Sequence, residues 1–158
     1  MVRESIDFKP IGEVISSFKT HVQMKENKNW REKVSKIKVY SEYVEGLHGI
    51  EEYSHLWIIY HLDKIKISDV ILSSPYREEK ELEKIGIFAT RYPERPNPIG
   101  ITIIQLIEKK RDMLTVKNLD ALDKSLILDI KPYDDLDIIK DIRTHRMFKS
   151  RFQKNNQE

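Results

Sequence analysis

The chain has 158 residues, of which 34% are charged and 39% hydrophobic, and its formal net charge is only +2. That length suits one domain with a sizeable core, and the near-balanced charge means the chain is not basic overall. There is no cysteine, which excludes disulfides, zinc–thiolate sites and thiol catalysis; no apolar run reaches the roughly 18–20 residues that span a bilayer and no signal-peptide pattern is present, so a cytoplasmic protein is expected.

In chain order, Ile11 to Phe18 reads as a first strand, carried by Ile11, Val14, Ile15 and Phe18. Lys19 to Arg31 lacks a clear period and reads as a loop. Lys36 to Tyr43 alternates, with Ile37, Val39, Ser41 and Tyr43 on one face. Gly46 and Gly49 mark a turn. Ser54 to Leu62 is a continuous apolar and aromatic run, the pattern of a strand buried on both faces. That places Trp57 in the core and leaves Trp30, among Lys and Asn, as the better stacking or interface residue. Asp63 to Lys84 is polar, and its segment EEKELEKI suits a short helix. Ile85 to Thr90 reads as a short strand.

Ile101 to Glu108 and Met113 to Val116 flank a KKRD turn and read as a hairpin. Leu126 to Lys131 is a further strand, stopped by Pro132. Many short strands joined by turns predict a mostly β fold, a small closed β-barrel with short peripheral helices, spanning about residues 8–133. After it, an amphipathic basic C-terminal helix is expected over about residues 135–154, started by Asp134 or Asp135 as cap. Ile138, Ile142, His145, Phe148 and Phe152 would fall on one arc, and Lys140, Arg143, Arg151 and Lys154 on the other.

The charge is unevenly spread. Lys19 to Lys38 holds seven Lys or Arg against Glu26 and Glu32, and Lys140 to Lys154 holds six against Asp141. Glu42 to Asp63 carries five acids and no Lys or Arg. Two basic regions and one acidic one fit a polyanion touching one side, though ordinary solvated charge would read the same way. A metal site is not expected: His55 and His61 share a strand face but lie roughly 20 Å apart at about 3.3 Å per residue.

The stretch RYPERPNPIG, Arg91 to Gly100, has three prolines, each fixing its own φ and extending the residue before it. The result is a stiff loop in which Arg91, Arg95 and Asn97 can present polar groups outward at little entropic cost. Two guanidinium forks and a planar amide suit an anionic or nucleotide-like ligand. A plain proline-rich connection between strands is the competing reading. In LDIKPY, strand alternation puts Asp129, Lys131 and Tyr133 on one face and Leu128 and Ile130 on the other. That row could form a polar wall of a pocket or simply an internal ion pair beneath a tyrosine.

Four blocks in order resemble the TsaA-like family, also called TrmO or YaeB-like. They are KPIGEVISSFKT, GLHGIEEYSHLWIIYHLD, FATRYPERPNPIGIT and NLDALDKSLILDIKPY, and they span most of the chain. The resemblance implies a β-barrel working as a homodimer that methylates tRNA with S-adenosyl-L-methionine, at the exocyclic nitrogen of threonylcarbamoyl-adenosine in the anticodon loop. It implies Asp129 as base or orienter, Lys131 and Tyr133 fixing it or the substrate, and Arg95 and Asn97 on the nucleotide. It carries cofactor contacts onto Gln23, Asp63, Lys64, Arg91, Ile101 and the Asp123–Lys124–Ser125–Leu126 turn. The match there is uneven. Only Asp123 is kept from the family's Asp-Gly-Thr-Pro turn, only Gln23 from its Pro-Arg-Gln element, and its Phe-His becomes Leu62 and Asp63, followed by Lys64. Backbone contacts could survive that change, whereas a glycine-dependent turn need not. The alternatives are an RNA-binding or regulatory paralogue with a degenerate cofactor site, and a small-molecule methyltransferase on the same scaffold.

Overall fold

The structure, a computed structural model, describes residues 5–65, 72–73 and 85–145. The EEKELEKI helix falls outside them. Six strands close an antiparallel barrel: β1 (Gly12–Ile15), β2 (Ser35–Val39), β3 (His55–His61), β6 (Ile99–Lys110), β7 (Met113–Lys117) and β8 (Leu126–Pro132), in the order β1-β2-β7-β6-β3-β8. A separate two-stranded ladder pairs β4 (Leu72–Ser73) with β5 (Ile85–Gly86). Closure leaves no unpaired edge in the six-stranded sheet.

Alternation sets which side chains fill the barrel. Val14, Ile37, Leu56, Ile58, Ile104, Leu114, Val116 and Ile127 are fully enclosed, each contributing on the order of 1.5–3 kcal/mol by leaving water. β3 is not buried on both faces, as its unbroken apolar run suggests. Leu56, Ile58 and Tyr60 point inward, while His55, Trp57, Ile59 and His61 are half-buried on the outside. Trp57 is therefore outside the core, packed on Tyr133 with ring centroids 5.7 Å apart.

Strict alternation also fails in β8. Ile127 and Ile130 both join the core, although they lie three residues apart. A register shift opposite Ile59 and Tyr60 makes this possible, since Ile59 pairs with Asp129 and Tyr60 with Ile127, which leaves Leu128 unpaired. An extra residue in one strand resets the face of all that follow.

The expected loop at Lys19 to Arg31 contains α1 (His21–Glu26) and a 3₁₀ turn at Trp30–Glu32. Thr20 caps α1 by accepting from the Gln23 N–H, and the Gln23 side chain accepts from the Lys19 N–H. Capping replaces periodicity as the signal in a helix this short. Ser41 and Tyr43, expected on a strand, belong to a 3₁₀ segment, Ser41–Leu47. Ile85 to Thr90 gives only a two-residue strand, followed by a 3₁₀ turn at Ile87–Ala89.

The helix expected over 135–154 amounts, among the described residues, to one 3₁₀ turn at Asp135–Asp137, closed by a capping box between Asp134 and Asp137. Residues 138–145 carry no helix, and Asp141 has a left-handed backbone with φ 58°. Ile138, Ile139 and Ile142 are exposed rather than gathered on a packed arc, so the helix lacks the burial that stabilises short amphipathic segments. Phe148, Arg151, Phe152 and Lys154 lie outside the described residues.

Candidate functional site

The residues expected to hold a cofactor separate into two groups. One group gathers at a hollow of about 190 Å³, open to solvent and lined by His21, Tyr60, Leu62, Asp63, Lys64, Leu122 and Ser125. The loop between β7 and β8 forms one wall. Ser125 is buried, and its hydroxyl donates to Asp63 Oδ1 at 3.1 Å. Lys64 Nζ donates to the Asp123 carbonyl. The Asp123 carboxylate accepts from the Ser16 N–H at 3.0 Å, and the Asp123 N–H donates to the Phe18 carbonyl at 2.8 Å. Gln23 sits on α1, whose first residue, His21, forms the opposite wall.

The altered turn in this wall has an uncommon backbone. Lys124 has φ 68°, the left-handed region that glycine enters freely and other residues enter at about 1–2 kcal/mol. Lys124, where the resemblance places a glycine, thus has a backbone conformation that glycine favours. Its N–H donates to the Val14 carbonyl at 2.9 Å, and its ammonium pairs with Glu13 at 3.1 Å. Leu126 follows as the first residue of β8, opposite Glu13. Two positions that differ from the family pattern, Asp63 and Ser125, touch directly, and a third, Lys64, reaches the retained Asp123.

Three residues of the hollow's floor and wall were not singled out from the sequence. Tyr60 points into the barrel and its hydroxyl donates to Asp120 Oδ1 at 2.9 Å. Asp120 also lies near Thr102 and His21. Burial pushes the Asp120 carboxyl up, against the pull of the hydrogen bond from Tyr60. Burial, together with the Asp120 charge, pushes the Tyr60 phenol up, so it stays protonated. His21 is lowered, chiefly by burial, with Lys25 and Lys64 acting in the same direction and Asp120 against them. Asp120 had a sequence signal in the LDALD run beside the recognised turn, whereas Tyr60 sits inside an apolar run and His21 in a segment without a period.

The second group lies on the outer face. Ile101 pairs with Ile59, and Ile59 pairs on its other side with Asp129, so all three line up outside the barrel. Ile101 is thus on the opposite face of the sheet from Tyr60. Asp129 Oδ2 pairs with Lys131 Nζ at 2.8 Å, and Asp129 Oδ1 accepts from the Ile130 N–H at 2.9 Å. Tyr133 packs beside Trp57 and edge-on to His55. The row Asp129, Lys131, Tyr133 therefore exists as expected, as an ion pair next to an aromatic cluster.

The proline loop behaves less simply. Asn97 and Arg91 are exposed. Arg95 turns inward. Its Nη1 donates toward the carbonyls of Thr90 at 3.0 Å, Tyr92 at 3.2 Å and Ile87 at 3.4 Å, and its guanidinium lies 5.9 Å from the Phe88 ring centroid. One face of its fork holds the loop together rather than reaching outward. The loop also meets the hollow's rim, because the Leu62 N–H donates to the Pro98 carbonyl at 2.8 Å. Among the described residues no group of three or more His, Asp or Glu is placed to hold a metal ion, and no helix is long and apolar enough to cross a membrane.

A family model described as the tRNA-methyltransferase O N-terminal domain matches residues 13–137. The chain is 39% identical over 140 residues to a probable S-adenosyl-L-methionine-binding protein of Pyrococcus abyssi, covering 87% of this chain and 74% of that one. It is 41% identical over 125 residues to an S-adenosyl-L-methionine-binding protein of Archaeoglobus fulgidus, covering 79% and 87%. It is 36% identical over 95 residues to a tRNA (adenine(37)-N6)-methyltransferase of Mus musculus, covering 56% of this chain and 20% of that enzyme. A crystal structure of TrmO from Pseudomonas aeruginosa matches with a TM-score of 0.73 at 25% identity, over 92% of this chain and 63% of that one. The chain thus spans less than two thirds of that solved chain.

Proposed function

From the chain's membership of the tRNA-methyltransferase O family, we propose that it is an S-adenosylmethionine-dependent methyltransferase acting on tRNA, at the exocyclic nitrogen of threonylcarbamoyl-adenosine in the anticodon loop, in the cytoplasm. The observation that carries this reading is the left-handed backbone of Lys124. A residue of that conformation in the wall of the hollow, where the resemblance places a glycine, supports a turn of the kind the family would need.

The donor set suits the cofactor's chemistry. The Asp63 carboxylate, fixed by Ser125, can accept from hydroxyl or ammonium groups, and the Lys64 ammonium can meet a carboxylate. When bound, the cofactor supplies an electrophilic methyl group on a sulfonium. The protein's share is to hold that methyl in line with the accepting nitrogen, and positioning can remove much of the barrier. The substrate nitrogen bears a carbamoyl group and is already acidic, so little base strength is required. Asp129 fits the part of orienter better than that of base, since both its oxygens are engaged, by Lys131 and by the Ile130 N–H. The base would have to be splayed from its loop to reach either group.

The hollow is shallow and open to solvent, too slight to enclose a cofactor by itself, and Asp129 and Ile101 lie on the other face of β3. A homodimer accounts for both. Ile99 and Ile101 are exposed on the outer face, and a second copy seated there would bring Ile101, Asp129 and Lys131 to the hollow of its neighbour.

Calorimetric titration of S-adenosylmethionine, followed by methyl transfer to tRNA carrying the threonylcarbamoyl group, tests the proposal. Binding in the micromolar range and transfer abolished by Asp129→Ala are expected. A folded protein that binds tRNA but takes up no cofactor would instead favour the regulatory paralogue.

A further inference from the structure

We infer that the surface running from α1 through the Trp30–Glu32 turn to the outer face of β2 is a docking strip for an RNA phosphate backbone. The inference rests on the tRNA reading above and names the surface that reading leaves open. Lys25, Lys28, Arg31, Lys33, Lys36 and Lys38 are all exposed within fourteen residues of chain. Of the acids beside them, Glu26 is exposed on α1, and the other two are engaged elsewhere. The Glu32 carboxylate pairs with Lys117 at 3.1 Å, and Glu13, which faces Lys38 across the β1–β2 ladder, pairs with Lys124 at 3.1 Å. Lys36 lies between Ile15 and Thr115, neither of them charged. Among the described residues neither Lys36 nor Lys38 has an ion pair.

The strip is also rigidly mounted, which most surface lysine clusters are not. Lys36 and Lys38 stand on a central barrel strand, two residues apart and so about 6.6 Å along it. Trp30 packs against the small core of Phe18, Met24 and Leu122. The Asn118 N–H donates to the Arg31 carbonyl at 2.9 Å. Arg31 lies over the Trp30 ring, 4.7 Å from its centroid, so its planar fork is oriented before a ligand arrives. A guanidinium held on an aromatic face with its edge outward matches phosphate geometry. Cations fixed in this way lose little entropy on binding a polyanion.

Position selects RNA over other polyanions. The strip is continuous with the hollow through α1, because His21 lines the hollow and Met24 and Leu122 lie beneath both. A strand of nucleic acid tracked along the lysines is thereby led to the rim where a methyl group would be transferred. Contacts of this kind position the ligand and carry no sequence information.

The test measures binding of a tRNA transcript to the full chain by fluorescence anisotropy between 50 and 300 mM salt (roughly the range in which counterion release is read). The variants are Lys36→Thr with Lys38→Thr, which keeps strand-forming residues on β2, and separately Arg31→Gln. The control is Lys109→Thr with Lys110→Thr at the far end of the β6–β7 hairpin. The log–log salt slope of the β2 variant should be shallower by about 0.7–0.9 per lost lysine, with affinity down by about tenfold or more at low salt. The Arg31 variant should lose about half as much. The control pair should bind as the wild type does, and cofactor titration and melting temperature should be unchanged in all three. A β2 variant with the wild-type slope overturns the docking strip while leaving the methyltransferase reading intact. A wild type that binds anionic phospholipid vesicles but not tRNA overturns it in favour of a membrane surface. Loss of cofactor binding in the wild type strikes the enzyme reading alone, because the salt slope is measured without cofactor.

Discussion

Gly100, the last residue of the proline-rich motif, lies directly opposite Tyr60 in the β3–β6 ladder, and a Cβ on Gly100 would overlap three carbons of the Tyr60 ring. The glycine is there to let that ring pass. The ring in turn delivers its hydroxyl to Asp120, beneath His21 at the hollow. The motif thus reaches the candidate cofactor site through a missing side chain rather than through its arginines.

Gly100→Ala should therefore displace Tyr60. Overpacking of this kind costs about 1–3 kcal/mol, and cofactor binding should weaken with it. The double variant Gly100→Ala with Tyr60→Leu, which removes the overlapping ring, should recover part of the lost stability in denaturant titration but not the cofactor affinity. Full recovery of both would show that Tyr60 plays no part at the hollow.

Lys124 makes a sharper case. Lys124→Gly should leave the melting temperature unchanged or raise it, because relief of the left-handed backbone is worth about 1 kcal/mol and offsets the loss of an exposed ion pair worth about 0–1 kcal/mol. Lys124→Val, with a β-branched side chain in the same region, should lower it and weaken cofactor binding. If glycine destabilises as much as valine, the turn does not depend on that backbone.

Arg95 and Asn97 should separate by readout. Arg95→Ala removes a charged donor from loop carbonyls and should cost roughly 2–3 kcal/mol. Arg95→Lys should not restore it, since an ammonium cannot reproduce the fork. Asn97→Ala, at an exposed position, should change stability by less than about 0.5 kcal/mol while lowering methyl transfer. Equal stability losses in the two alanine variants would refute this division of labour.

His21 predicts a pH dependence. Its folded pKa lies below the ordinary histidine value, chiefly through burial, so the native state binds fewer protons there than the unfolded chain does. Stability from this group is present above about pH 6.5 and is lost as pH falls through the lowered folded value. Asp120, Lys25 and Lys64 face it, and the raised Asp120 carboxyl acts with the opposite sign at lower pH. Denaturant titrations from pH 7.5 to 5.5 should show a loss that His21→Gln flattens. An identical slope in the variant would place the proton uptake elsewhere.

Much of this molecule was legible along the chain. Apolar runs and the turns between them identified most of the barrel strands, alternation marked β2, and Pro132 marked the end of the last, because these signals are local. The ion pair of Asp129 with Lys131 followed from their separation of two in a strand. The helix α1 was missed because six residues are too few to show a period, and its caps, Thr20 and Gln23, look like ordinary polar residues until the backbone N–H groups they satisfy are known. The C-terminal periodicity misled for the opposite reason. An amphipathic pattern needs a surface to bury its apolar side, and Ile138 and Ile142 have none among the described residues.

By itself the sequence determined the strand pattern, the stiff loop at Pro93, Pro96 and Pro98, and the motif that ties the chain to its family. Each rests on dihedral limits or on residues adjacent in the chain. Folding in three dimensions settles that the Leu128 bulge resets β8, that Arg95 turns into its own loop, and that Lys124 takes a left-handed backbone. It alone brought Asp63 to Ser125 and Tyr60 to Asp120, residues about sixty positions apart. Contacts at that separation depend on barrel closure and register, which no local pattern encodes.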